Sequence, residues 1–80
     1  MQTPKVVSVK PIEDFKLFLV FENGENKIFD AKPYIHGDYM GELADPRYFG
    51  MVKCGILSVE WPNGQDLCPD LIYEDSIPAQ

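Results

Sequence analysis

The dipeptide Asn23-Gly24 lies between the runs Lys16-Leu17-Phe18-Leu19-Val20-Phe21 and Asn26-Lys27-Ile28-Phe29-Asp30, and it constrains this chain more than any other feature. Asn and Gly both tolerate positive φ, and between two β-prone runs they give a strong hairpin signal. Read as a two-residue turn, the dipeptide sets the register. Phe21 then faces Asn26, Val20 faces Lys27, Leu19 faces Ile28 and Phe18 faces Phe29. Residues opposite each other share a side of the sheet, so Leu17, Leu19, Phe21 and Ile28 fall on one side and Phe18, Val20 and Phe29 on the other. A domain of 80 residues can cover one side with helices but hardly both. The second side is therefore expected under a loop or under another subunit. Phe18, Val20 and Phe29 are the candidate partner-binding residues.

Around this hairpin the chain reads as alternating short elements. A Val-rich strand spans residues 5–10 and Pro11 ends it. Glu13-Asp14 makes a turn. Residues 34–44 are loop-like, with one helical turn at 39–43. Asp45-Pro46 starts a helix over 47–53, with Asp as N-cap, Pro at the first position, and Phe49 and Val52 inward. Residues 56–61 alternate as a strand with Leu57, Val59 and Trp61 inward. The tail, 76–80, is expected to fray. The fold class is α+β: a small antiparallel sheet of about five strands, with two short helices packed on one face, in a single domain over residues 1–80.

The densest motif is Trp61-Pro62-Asn63-Gly64-Gln65-Asp66-Leu67-Cys68-Pro69-Asp70-Leu71-Ile72-Tyr73. Asn63-Gly64 is a turn pair. Pro69, with φ preset and no N–H to lose, opens a short helix over 69–74. Asp66 stands just before it, where a carboxylate can accept backbone N–H bonds, and Asp70 suits the positive end of the helix dipole. Leu67, Leu71 and Ile72 face inward and Trp61 is the apolar anchor. In this reading Trp61, Gly64, Asp66, Pro69, Asp70 and Tyr73 have structural roles. The alternative is a ligand pocket near Trp61 and Tyr73 with an aspartate at its rim.

Charge and side-chain inventory exclude several functions. The formal net charge is −6, with a single arginine, Arg47, whereas duplex binding needs clustered cations to displace counterions. Direct nucleic-acid binding is therefore not expected. No apolar run reaches the roughly 20 residues of a membrane helix. The N-terminus lacks the pattern of a signal peptide, so a complete cytoplasmic product is expected. Cys54 and Cys68 read as reduced thiols packed as small apolar groups. They and the lone His36 cannot complete a zinc site. The carboxylates Asp66, Asp70, Glu74 and Asp75 match no calcium loop. No catalytic residue, cofactor or metal is expected.

Together, Leu17-x-Leu19-x-Phe21-x-Asn23-Gly24, a strand ending at Asp30, Leu43-x-Asp45-Pro46-x-x-Phe49 and the closing Trp61-to-Tyr73 motif resemble the bacterial family called domain of unknown function 2442. The resemblance spans residues 6–73. It implies a small α+β domain without established catalytic residues. Some members look like domains joined to a helix-turn-helix, which is not expected in these 80 residues, and others like the antitoxin-like half of a toxin–antitoxin-type pair. The expectation is a non-enzymatic, protein-binding or regulatory module that binds a protein partner or itself. The alternative is a small enzyme or ligand-binding protein using the Trp61/Tyr73 pocket.

Overall fold

The computed structural model describes residues 3–56 and 58–79. Among the described residues six strands are formed: β1 (Val6–Ile12), β2 (Lys16–Phe21), β3 (Asn26–Asp30), β4 (Lys53–Cys54), β5 (Val59–Glu60) and β6 (Ile77–Pro78). β1, β2, β3 and β6 make an antiparallel sheet in the order β1-β2-β3-β6, and β4 pairs with β5 in a second, two-stranded sheet. Three α-helices are short: α1 (Gly37–Met40), α2 (Pro46–Phe49) and α3 (Pro69–Asp75). The chain is α+β, as the sequence predicts.

The hairpin departs from its predicted register by one residue. Val20 pairs with Asn26, Leu19 with Lys27, Phe18 with Ile28 and Leu17 with Phe29. The loop has three residues rather than two. Phe21 N–H donates to the Glu25 carbonyl at 2.9 Å and Gly24 N–H to the Phe21 carbonyl at 2.9 Å. Gly24 takes φ +92°, the left-handed residue that follows a type I turn in this loop class. The Asn23 side chain closes the turn by accepting from Glu25 N–H at 3.0 Å.

A one-residue slip exchanges faces. Phe29 moves to the helix-covered side and is fully buried with Leu17, Leu19 and Phe21. Ile28 moves to the other side, beside Phe18 and Val20. The assignment of Phe29 to a partner-binding surface is thus corrected: it is core, and the Tyr34 ring stacks on it at 5.6 Å.

Other elements shift for local reasons. β1 runs on through Pro11 because it is an edge strand, where a missing N–H costs no ladder bond. α2 stops at Phe49, with Gly50 at its C-cap, and residues 53–54 go to β4 instead. Its start is as predicted: the Asp45 carboxylate accepts from Arg47 N–H at 3.0 Å, and Pro46 opens the helix. Of the strand predicted over 56–61, β5 forms; Leu57 lies outside the described residues. The tail joins the sheet over 77–79 rather than fraying, and Gln80 lies outside the described residues. Ile77 and Pro78 pair with Ile28 and Lys27, and Ala79 N–H donates to the Asn26 carbonyl at 2.9 Å.

The core lies between the four-stranded sheet and the rest of the chain. Leu17, Leu19, Phe21 and Phe29 meet Leu43 and Phe49 from the middle segment and Val59, Trp61, Leu67 and Ile72 from the C-terminal part. Between β1 and β2, Asp14 and Phe15 both adopt left-handed backbone, at φ 66° and 58°. The Phe15 ring is held edge-on against Phe49 at 5.3 Å, and its carbonyl accepts from Ala31 N–H at 3.0 Å.

The slipped register makes two phenylalanines unequal. Phe29→Ala is expected to cost about 3–5 kcal/mol, the loss for a large buried side chain, and Phe18→Ala about 1 kcal/mol. Urea unfolding of both variants measures the difference; equal losses would restore the two-residue turn.

Candidate functional site

The closing motif is built into the fold at nearly every position. Trp61 is buried, and its indole Nε1 donates to the Phe49 carbonyl at 2.9 Å, which fastens the segment to the end of α2. Trp61 N–H donates to the Gln65 carbonyl at 2.8 Å and Gly64 N–H to the Trp61 carbonyl at 3.0 Å, so residues 61–65 form a tight turn. Gly64 sits at φ +98°, where a side chain would be strained, and a Cβ would come within 3.3 Å of the Tyr39 hydroxyl. Pro69 opens α3 as predicted, and Asp70 in its first turn accepts from the Thr3 hydroxyl. Asp66 is exposed. It does not cap α3: the N-cap is Cys68, and no side chain bonds there.

Tyr73 ties α3 to the hairpin. Its ring meets Phe21 edge-on at 5.1 Å and its hydroxyl donates to Glu25. Lys27 reaches the same place. Its ammonium stands 4.1 Å over the Tyr73 ring and donates to the Tyr73 carbonyl at 2.8 Å, near the negative end of the helix. The hydrogen bond from Tyr73, then that from Asn23, holds the Glu25 carboxyl below its ordinary range, and Glu25 in turn pushes the Tyr73 phenol up.

Beneath the motif lies a polar cluster that sequence reasoning missed. Gln65 is almost wholly buried. It accepts from the Tyr48 hydroxyl at 2.6 Å and donates to Glu42 at 2.8 Å and to the Tyr39 carbonyl at 3.1 Å. Asn63 Nδ2 donates to the other Glu42 oxygen at 2.7 Å. The bonds from Asn63 and Gln65 lower the Glu42 pKa. A Gln between Gly and Asp carries no sequence signal of burial, because its partners come from residues 39–48. Both ends of the buried Gln65 amide are bonded within the chain, so the cluster fixes the loop.

Trp61 and Tyr73 do not line the hollow of about 350 Å³ that adjoins Asp66. Gly55, Glu60, Leu67 and Pro69 flank it, with Ser58, whose buried hydroxyl has no partner among the described residues. Cys54 and Cys68 are free thiols, exposed rather than packed as expected. Among the described residues no three His, Cys, Asp or Glu side chains come together as a metal ion would require.

The remaining site is the outer side of the sheet. Phe18 and Val20 on β2 lie there as predicted, half-buried and outside the core. The register adds Ile28 from β3, and the pairing of β6 adds Ile77, which is 64% exposed. Phe18, Ile28 and Ile77 line up across three strands. Lys10 stands at the β1 end of that row, opposite Phe18. At one end the row meets a hollow of about 440 Å³ with Ile12, Ile28 and Ile77 among its walls and Glu13, Asp14, Lys16, Asp30 and Asp75 around them. Asp14 is paired with Lys32 at 2.6 Å, which lowers its pKa, and Asp75 accepts from the Tyr34 hydroxyl. The signal for Ile28 was the Gly24 that follows Glu22-Asn23, read as half of a two-residue turn. For Ile77 it was Ile-Pro, a pair suited to an edge strand.

A family model described as "Protein of unknown function (DUF2442)" matches residues 6–78. No curated protein and no solved structure matches the chain.

Two outcomes test this account of the motif. Gln65→Met leaves the Tyr48 hydroxyl and the Glu42 oxygen without their partner and is expected to cost about 1–3 kcal/mol in urea unfolding. Glu42 has a folded pKa below its ordinary 4.5, so its contribution is fully present above pH 4.5 and is lost as pH falls through the lowered value. Glu42→Gln is therefore expected to melt lower than the parent at neutral pH and to lose less of its melting temperature on acidification. Parallel Tm-versus-pH curves would contradict this.

Proposed function

The chain belongs to the DUF2442 family of proteins of unknown function, and from that premise we propose that it is a non-enzymatic protein-binding module whose working surface is the outer side of its sheet. One observation carries the reading. Phe18, Val20, Ile28 and Ile77 lie together on that side, and none belongs to the core or to the residues packed against it. A sheet with one face on a core leaves the other to solvent and is normally polar there. A contiguous apolar strip rimmed by charge marks an interaction surface.

The polar groups of the closing motif support the same reading from the other direction. Trp61, Gln65, Asp70 and Tyr73 spend their hydrogen bonds on the chain itself. General acid–base or nucleophilic work needs a side chain poised over a cleft with a partner to move its proton. The residues of this motif are instead committed to holding backbone and neighbours. We assign the module to the cytoplasm, a placement supported by two exposed, unpaired cysteines. The regulatory role, as the antitoxin-like member of a two-protein pair, is the form to examine first.

The experiment is capture of the adjacent gene product from co-expression, by the parent and by Phe18→Glu, with a dilution series of molecular mass for self-association. The parent is expected to hold its partner or a second copy. The variant is expected to lose at least about tenfold in affinity, as for a central apolar contact, while losing no more stability than the about 1 kcal/mol expected for Phe18→Ala. Undiminished capture by Phe18→Glu would remove the sheet face from the binding surface. A strictly monomeric parent that captures nothing would remove the function.

A further inference from the structure

The hollow at the end of the apolar row has a composition that specifies what fits it. Its walls include Ile12, Ile28 and Ile77, the last largely exposed. Its lining also carries Glu13, Asp14, Asp30 and Asp75, against Lys16 alone. Lys32 neutralises Asp14 from outside the hollow. Four carboxylates facing two ammonium groups leave two uncompensated negative charges over an apolar surface. No salt bridge among the described residues engages Glu13, Asp30 or Asp75. Their oxygens do not converge as a metal cluster either.

A hollow lined by apolar and anionic side chains together suits one kind of side chain: an aliphatic stem ending in a cation. Lysine and arginine bury their methylenes along apolar surface and keep the charge outside. Building on the reading of this face as a protein-binding surface, we infer that the hollow seats a lysine or arginine from a basic segment of a protein partner. Apolar neighbours of that side chain would cover Phe18 and Val20. The commitment to a partner rather than a second copy rests on charge. At this end of the row a second hollow would bring the same excess of carboxylates, and like charges oppose association. The chain as a whole is also acidic, at −6, which draws cationic partners and repels copies of itself.

The test uses isotope-labelled full-length protein and a synthetic peptide that alternates arginine and leucine, followed by amide NMR shifts. Two control peptides replace arginine by glutamine and by glutamate. Asp30→Asn/Asp75→Asn removes two charges and keeps an oxygen to accept from Lys32 N–H and the Tyr34 hydroxyl, so the fold is retained. Glu22→Gln/Asp66→Asn removes the same charge away from the hollow.

The arginine peptide is expected to shift Ile12, Ile28, Asp30 and Ile77, to weaken as salt is raised, and to lose about five- to tenfold in affinity with the hollow variant but little with the distant one. Equal loss in the two variants would mean attraction to net charge alone and would overturn the inference. Equal binding of the glutamine peptide at these residues would overturn it too, while leaving the protein-binding face intact. The same shifts produced by Mg²⁺ or spermidine alone would overturn it in favour of a free cation. Binding of none of the peptides to the face would end it, and the co-expression experiment would then judge the broader reading separately.

Discussion

The structure depends on the register of one hairpin. Gly24 at φ +92° lets the chain turn in three residues, and that single conformation decides which side chains of β2 and β3 meet the helices. Leu17, Leu19, Phe21 and Phe29 then form one apolar face whose polar interruption on β3 is Lys27, paired with Leu19. That interruption has a purpose in the fold. The ammonium reaches the last turn of α3 and the face of Tyr73, so the sheet meets the helix through a charge as well as through packing. Had the hairpin closed in two residues, Lys27 would have pointed away from α3 and Phe29 into water.

Against that face the C-terminal third closes as a folded loop rather than as a layer of regular structure. The indole of Trp61 is anchored to the Phe49 carbonyl, and Gln65 binds three separate parts of the segment 39–48. In so small a domain, helices of four residues cannot hold themselves together. Side-chain hydrogen bonds to backbone supply what the short helices lack. A buried polar group of this kind stabilises only when it is paired, and the Gln65 amide is bonded through both its oxygen and its nitrogen.

Much of this was legible in the residues. The extent of β2 and β3, the Asp45-Pro46 helix start, the Pro69 helix and the inward Trp61 follow from local rules about φ, capping and alternation. What was not legible shares a physical cause. The loop length at Asn23-Gly24 is a small energetic choice between two turn classes that the same dipeptide serves. β6 forms only because β3 offers a free edge to a two-residue partner. Gln65 is buried by groups some 17 to 26 residues away. Asp66 precedes a helix, the usual place of a cap, yet Cys68 occupies the N-cap position. The face proposed for binding was recognised through Phe18 and Val20 but completed wrongly with Phe29, since a slip of one residue exchanged it for Ile28.

The outer strand β1 bears on how anything can approach this sheet. Its ladder is irregular between Val6 and Ser8, and Pro11 presents no N–H. At the opposite margin β6 is only two residues long. An incoming strand therefore finds no straight row of donors and acceptors on either flank to extend. Growth of the sheet by sideways addition is thereby discouraged, which protects a domain that carries an apolar outer surface from stacking into fibrils. Partners are left with the broad approach, onto the plane of the sheet, where side chains and not backbone decide who is admitted.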